Sequence, residues 1–86
     1  MYEILYVKAV EKELRKLDTS IRKAIVKKIL SLAQTPRPQG VTKLRGSGNL
    51  YRIRHTDYRV VYEIRDNELI VLVVKVAHRR EVYRDF

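Results

Sequence analysis

The apolar residues of this chain change their spacing once, just after residue 40, and that change limits the folds open to it. Before it, Val10, Leu14, Leu17, Ile21, Ile25, Ile29 and Leu32 follow one another in steps of four, three, four, four, four and three, which lines them along one side of an α-helix. Asp18-Thr19-Ser20 interrupts the stripe with short oxygen-bearing side chains that favour N-cap positions. The spacing therefore predicts two helices, over residues 8 to 17 and 19 to 34, folded as a hairpin or meeting at a sharp bend. Thr35-Pro36-Arg37-Pro38 ends the second, because proline cannot donate to the helix ladder and pushes its predecessor into extended backbone.

Beyond Gly40 the period is two. Leu50 to His55 alternates, with Tyr51 and Ile53 on one face and Arg52 and Arg54 on the other. Thr56-Asp57 reads as a turn, and in the next strand Tyr58, Val60, Tyr62 and Ile64 oppose Arg59, Val61 and Glu63. A second turn at Asp66-Asn67 leads into Leu69 to Val76, apolar on both faces apart from Lys75, the pattern of an interior strand. Tyr2 to Val7 is also strand-like. These elements predict an α+β domain: an N-terminal strand and a two-helix hairpin packed on one face of an antiparallel sheet of about four strands, the other face left open.

Eighty-six residues build one core, so residues 1 to 86 form a single domain. The absence of cysteine excludes disulfides, thiolate metal sites and a cysteine nucleophile, and two histidines, His55 and His78, are too few for a metal cage of protein ligands. No metal or other cofactor is expected. No apolar run approaches the length of a membrane span, and no charged segment resembling a secretion signal precedes Tyr2, so the expected location is the cytoplasm. Nineteen Lys and Arg against ten Asp and Glu give a net charge of +9, spread over both halves of the chain rather than gathered in a tail. Such a fold is suited to an acidic partner such as nucleic acid.

If the helices cover Tyr51, Ile53, Val60 and Tyr62, then Arg52, Arg54 and Arg59 project together from the opposite face. Adjacent strands lie about 4.8 Å apart, close enough for these side chains to converge on one phosphodiester. Guanidinium grips phosphate bidentately and stacks on bases, and an anion relieves the mutual repulsion of the three. Lys43 and Arg45 flank a glycine-containing segment that lacks the spacing of a nucleotide-binding loop. Ala77-His78-Arg79-Arg80-Glu81-Val82-Tyr83-Arg84 then brings further arginines and a tyrosine to the end of the sheet.

Lys43-Leu44-Arg45-Gly46, Leu50-Tyr51-Arg52-Ile53-Arg54, Asp57-Tyr58-Arg59-Val60-Val61-Tyr62-Glu63-Ile64 and Val76-Ala77-His78-Arg79-Arg80-Glu81-Val82-Tyr83, in this order and at these spacings, resemble the RelE branch of the RelE/ParE toxin superfamily. The resemblance covers nearly the whole chain. It implies the toxin of a type II toxin–antitoxin pair that enters the ribosomal A site and cleaves mRNA there without a metal. It further implies Arg59, Arg79 and Tyr83 as catalytic residues and Arg52, Arg54, Lys43, Arg45 and Arg80 as RNA- or phosphate-binding residues. Arg52 and Arg54 stand where the family usually has lysines: phosphate binding survives that exchange, but proton transfer by lysine does not. Proton transfer then falls to Tyr83, which the resemblance makes a stacking residue or a base and whose phenolate clustered arginines would favour, or to ribosomal RNA groups and water. The implied partners are a RelB-like acidic antitoxin presenting an amphipathic helix, and the ribosome with its mRNA, with no membrane. The toxin alone is expected to be monomeric and its antitoxin complex hetero-oligomeric. The gyrase-inhibiting ParE branch shares the fold, and a catalytically weak basic nucleic-acid binder is a third reading.

Overall fold

The computed structural model describes residues 1–46 and 48–80. Along the chain run β1 (Glu3–Tyr6), α1 (Lys8–Lys16), α2 (Thr19–Ser31), β2 (Thr42–Lys43), β3 (Leu50–His55), β4 (Tyr58–Arg65) and β5 (Ile70–His78). The α+β class, the two helices and the β3–β4–β5 meander are those expected from the pattern. The break between the helices falls at Leu17-Asp18, both in extended backbone, and Arg22 N–H returns to the Asp18 carbonyl at 2.8 Å while the Asp18 side chain makes no cap bond.

Helix α2 ends three residues before Gln34, yet the turn continues. Leu32, Ala33 and Gln34 donate to the carbonyls of Ile29, Leu30 and Ser31, three residues back instead of four. This tightening satisfies carbonyls that the approach to Pro36 would strand.

The sheet departs from expectation in two ways. It has five strands, in the order β1-β5-β4-β3-β2, and it is mixed, because β1 runs parallel to β5. Parallel pairing follows from the helical hairpin, which returns the chain to its start: Tyr2 N–H donates to the Ala33 carbonyl at 2.8 Å. The extra strand, β2, is two residues long and pairs Thr42 with Arg52 and Lys43 with Tyr51. Strand β5 begins at Ile70 rather than Leu69, which takes a left-handed φ of 55° in the preceding turn, and it continues to His78.

Pleating sorts β4 as predicted. Val60, Tyr62 and Ile64 join Tyr51, Ile53, Val71, Val73 and Val76 from neighbouring strands, and Val10, Leu14, Ile25, Ile29 and Leu32 from the helices, in one core. The opposite face is not bare. Val61 and Ala77 are buried on it, with Leu44, Leu50 and Val74 packed around them, so a small second cluster occupies part of the surface predicted to be open.

A polar network clamps the corner after α2. The Tyr62 hydroxyl donates to the Pro36 carbonyl at 2.6 Å, and the Arg37 guanidinium lies over the Tyr51 ring at 5.1 Å while donating to its hydroxyl at 3.2 Å. Arg37 also grips both carboxylate oxygens of Asp66, in the β4–β5 turn, at 3.3 and 2.8 Å, and the Tyr2 hydroxyl donates to the same carboxylate at 2.6 Å. These bonds tie the proline segment, the N-terminus and a distant turn together.

Arg37 first, and then the Tyr2 hydroxyl, hold the Asp66 carboxyl below the ordinary carboxylate range. A depressed folded value stabilises the fold above the unfolded carboxyl value of about 3.9, and the contribution is lost as pH falls through the lower folded value. Asp66→Asn is therefore expected to lower the Tm at pH 7, and the gap from the wild type is expected to narrow below about pH 4. Thermal unfolding followed by circular dichroism from pH 7 to pH 2.5 checks this; a gap constant across the range would show that the carboxylate charge contributes nothing.

Candidate nucleic-acid interface

Antiparallel register builds the site. Arg54 stands directly opposite Arg59, and Arg52 opposite Val61, so all three arginines leave the sheet on the face away from the helices. Thr42, opposite Arg52, extends the same face onto β2. Together with Gly40 these residues line a cavity of about 290 Å³, and none of its described lining residues is acidic. Gly40 takes φ of +88° where the chain turns from Pro38 into β2. A Cβ there would meet nothing within 4 Å, so glycine is needed at this wall for its conformation rather than for space.

The three guanidiniums are held differently. Arg59 is only 8% exposed, and its Nη1 donates to the carbonyls of Thr56 and Tyr58 at 3.2 and 3.3 Å. Thr56 sits in the β3–β4 turn with φ of +50°, a costly conformation for a β-branched residue, and its carbonyl is the one Arg59 reaches. Arg54 is exposed and its side chain has no hydrogen-bond or ion-pair partner among the described residues. Arg52 is half-buried between them and β2. The site thus has one cation anchored by backbone carbonyls and one whose guanidinium is unpaired among the described residues.

Arg79 follows β5 and joins the β3–β4 turn. Its N–H donates to the Asp57 carbonyl at 2.7 Å, and its exposed guanidinium lies 3.9 Å from the Asp57 carboxylate, a separation that leaves the pair weak and solvent-screened. Arg59 and Arg79 therefore share one two-residue turn as their support. Arg80 is exposed, and its N–H points at Nδ1 of His78, 3.4 Å away; the His78 ring meets Tyr58 edge-on.

Not every predicted residue comes to this face. Lys43 pairs with Tyr51, so it stands on the helix side of the sheet, with Nζ 6.0 Å from the centre of the Tyr51 ring. Arg45 lies exposed in the turn after β2 and does not line the cavity. Tyr83 lies outside the described residues. Gly40 and Thr42 were not read from the sequence as part of the site. The signal for them was local: a β-branched Val41-Thr42 pair following Pro38-Gln39-Gly40 is a strand entry after a turn.

Chemically, the arrangement offers clustered, permanently charged, planar donors at the bottom of a shallow basin, suited to a phosphodiester. Residues 4–83 match the family model described as ParE toxin of type II toxin-antitoxin system, parDE. The mRNA interferase toxin RelE of Escherichia coli strain K12 is 37% identical over 78 residues, which is 86% of this chain and 81% of that protein. Among solved structures, the archaeal RelE-RelB complex from Pyrococcus horikoshii OT3 superposes with a TM-score of 0.81 at 30% identity, covering 91% of this chain and 94% of that one. The intact Escherichia coli RelBE toxin-antitoxin complex gives a TM-score of 0.80 at 31% identity, covering 91% and 96%.

The direct Arg54–Arg59 opposition implies a cost to folding, since like charges facing each other across strands destabilise by a few tenths of a kcal/mol to about 1. Arg54→Ala is accordingly expected to hold or raise the Tm by a few degrees in low salt, with the difference closing as salt screens the pair. Scanning calorimetry at two ionic strengths measures it; a Tm several degrees below the wild type would mean that Arg54 stabilises the sheet and that the cluster is not under repulsion.

Proposed function

Because the chain belongs to the RelE-like toxins of type II toxin–antitoxin systems, we propose that its arginine face is the active site of a metal-independent endoribonuclease that cuts mRNA in the ribosomal A site. The observation that carries this reading is the cavity where Arg52, Arg54 and Arg59 converge with no acidic residue among its described lining. A carboxylate-free basin of guanidiniums suits an anion whose charge grows during reaction.

Cleavage by the RNA's own 2′-hydroxyl forms a bond from O2′ to phosphorus and breaks the bond from phosphorus to O5′, leaving a 2′,3′-cyclic phosphate and a 5′-hydroxyl. One proton leaves O2′ and one is delivered to O5′. Arg59, held by two backbone carbonyls, supplies fixed donors for the charge accumulating on the phosphorane, and the same role is assigned to Arg79, which does not line the cavity but is bonded to the same turn through Asp57. Arg52 and the exposed Arg54 bind the incoming phosphate. A guanidinium is a poor proton donor or acceptor, so the base role falls to Tyr83 and leaving-group protonation to water or ribosomal RNA. Arg80 and Arg45 add long-range attraction for RNA rather than contacts at the scissile bond, and Lys43 would act from the sheet's edge.

The partner on this reading is an acidic RelB-like antitoxin. Its proposed seat is the outer surface of α2, where Val26 and Leu30 form an apolar strip between Arg22, Lys23 and Lys27; Leu30 is 54% exposed. An amphipathic helix with an acidic border matches that pattern. Solved relatives are themselves RelE–RelB complexes. A location in the cytoplasm, with the ribosome, completes the proposal.

One observation favours a second reading. The matching family model carries the ParE name, and a gyrase inhibitor would use the same basic face for binding without cleavage. Primer extension on a defined mRNA separates the two. Purified protein with ribosomes holding a vacant A site is expected to cut within the A-site codon, and free mRNA is expected to stay intact. Arg59→Ala and Arg79→Ala are each expected to slow cutting by about 10²- to 10³-fold while staying folded. Intact mRNA in every lane, together with cleaved plasmid accumulating in a gyrase assay, would replace the nuclease by the inhibitor.

A further inference from the structure

A second cavity, of about 190 Å³, adjoins the arginine basin. Lys28, Ser31 and Leu32 of α2 form one wall, Pro38, Gln39 and Gly40 another, and Ile53 and Arg54 of β3 the third. Gly40 and Arg54 line both cavities. The two are therefore neighbouring stretches of one groove that starts on the arginine face and turns around the edge of the sheet. The turn is possible because β2 pairs only with Tyr51 and Arg52 of β3, so that Ile53 to His55 have no paired strand on that side among the described residues.

Lys28 stands at the far end of this path. Its Nζ donates to the backbone carbonyl of Arg54, which fixes the ammonium at the lip of the groove instead of leaving it to sweep through solvent. An ammonium has three donors, so two remain for a ligand. Gln39 and Ser31 add neutral polar groups beside it. Counted together, the described lining of the two cavities holds four cations, Lys28, Arg52, Arg54 and Arg59, and no acidic side chain. A chain of anions at regular spacing could follow these cations from one cavity into the other, which a single anion could not.

We propose that this groove is an extended single-stranded RNA subsite in which the phosphate next to the scissile one rests against Lys28. The proposal rests on the reading of the arginine basin as a phosphodiester site and adds to it a direction: the strand leaves the basin across Gly40 and Arg54 toward the C-terminal half of α2. Lys28 is a binding residue here, not a catalytic one. RNA is favoured over an acidic polypeptide because the groove is continuous with the basin and its charges follow one another along a path.

The probes are 2′-O-methyl oligouridylates, which lack the attacking hydroxyl and are not cut: a dinucleotide with one phosphodiester and a trinucleotide with two, both without terminal phosphates. Binding is followed by amide chemical-shift titration of the isotope-labelled protein at several salt concentrations. The wild type is expected to bind the trinucleotide more tightly than the dinucleotide. Lys28→Met keeps the aliphatic stem and removes the charge. It is expected to weaken trinucleotide binding about three- to tenfold, to reduce the salt slope by about 0.7, the value for one single-strand phosphate contact, and to leave the dinucleotide unaffected. Lys28→Arg is expected to restore the trinucleotide, and a dispersed spectrum for both variants guards against misfolding. Equal losses for both probes would overturn the proposal, because Lys28 would then act only by holding Arg54 in place. No loss for either would overturn it as well. Hexaglutamate binding with the same Lys28 dependence and equal affinity would reassign the groove to an acidic protein segment. If Arg59→Ala leaves dinucleotide binding unchanged, the basin itself is not a phosphodiester site, and the functional reading falls before the groove is reached.

Discussion

The pleat of β4 is the constraint on which the molecule is built. It is the middle strand of five, bonded on both sides, and its residues alternate without interruption between a core that needs Val60, Tyr62 and Ile64 and a surface that carries Arg59 and Val61. A slip of one residue would drive Arg59 into the helices and expose Tyr62, so register is fixed by the whole apolar core at once. That same register sets Arg54 against Arg59. The cationic face is thus a geometric consequence of burying the other face, and the core supplies the free energy that holds like charges together. The bulge between Val61 and Tyr62 is local: alternation on β4 is kept and the extra residue falls on β5.

Around this sheet the chain is tied off by polar contacts. Tyr62 is fully buried, yet its hydroxyl reaches the Pro36 carbonyl, which meets the demand of a polar tip carried into a core. Burial also raises its phenol well above the usual tyrosine value, so it stays neutral and donating through the physiological range. Arg37 then sits over Tyr51 and grips Asp66. Through these contacts the segment from Pro36 to Gly40, which has no regular structure, is tied at its start to β3, β4 and the β4–β5 turn. That segment supplies the wall shared by the basin and the Lys28 groove, so the clamp at one end of the corner shapes the cavities at the other.

Much of this was legible in the residues, and the reasons are physical. Helical spacing from Val10 to Leu32 and alternation from Tyr51 to Ile64 each report a buried face, so the helical region, two strands and the side on which the arginines emerge follow from period, while the helix break is read from Asp18-Thr19-Ser20 and β5 from its continuous apolar run. The parallel pairing of β1 does not, because it depends on where the helical hairpin delivers the chain, a contact between Tyr2 and Ala33 that no local pattern encodes. Strand β2 is too short to show a period at all. Its effect is large nonetheless, since two residues decide that Lys43 faces Tyr51 and the helix side while Thr42 joins the arginines. The Arg37–Asp66 pair spans 29 positions and joins two turns, which sequence reads only as polar loops. Tyr83, proposed by resemblance, falls outside the described residues, and the meander says nothing about it.

The identity of the cations carries a last consequence. Lysine could take part in proton transfer if its environment lowered its pKa; a guanidinium does not, at any pH a cell provides. On the proposed nuclease reading, a basin made of Arg52, Arg54 and Arg59 separates two tasks that lysines at the same positions could combine: it would bind and stabilise negative charge and leave proton movement to groups elsewhere. The separation has a geometric advantage, since Arg59 can be fixed by the backbone of the β3–β4 turn without losing a function that requires it to change charge. On that reading, the pH dependence of cleavage would report on the groups that move protons rather than on the arginines that hold the phosphate.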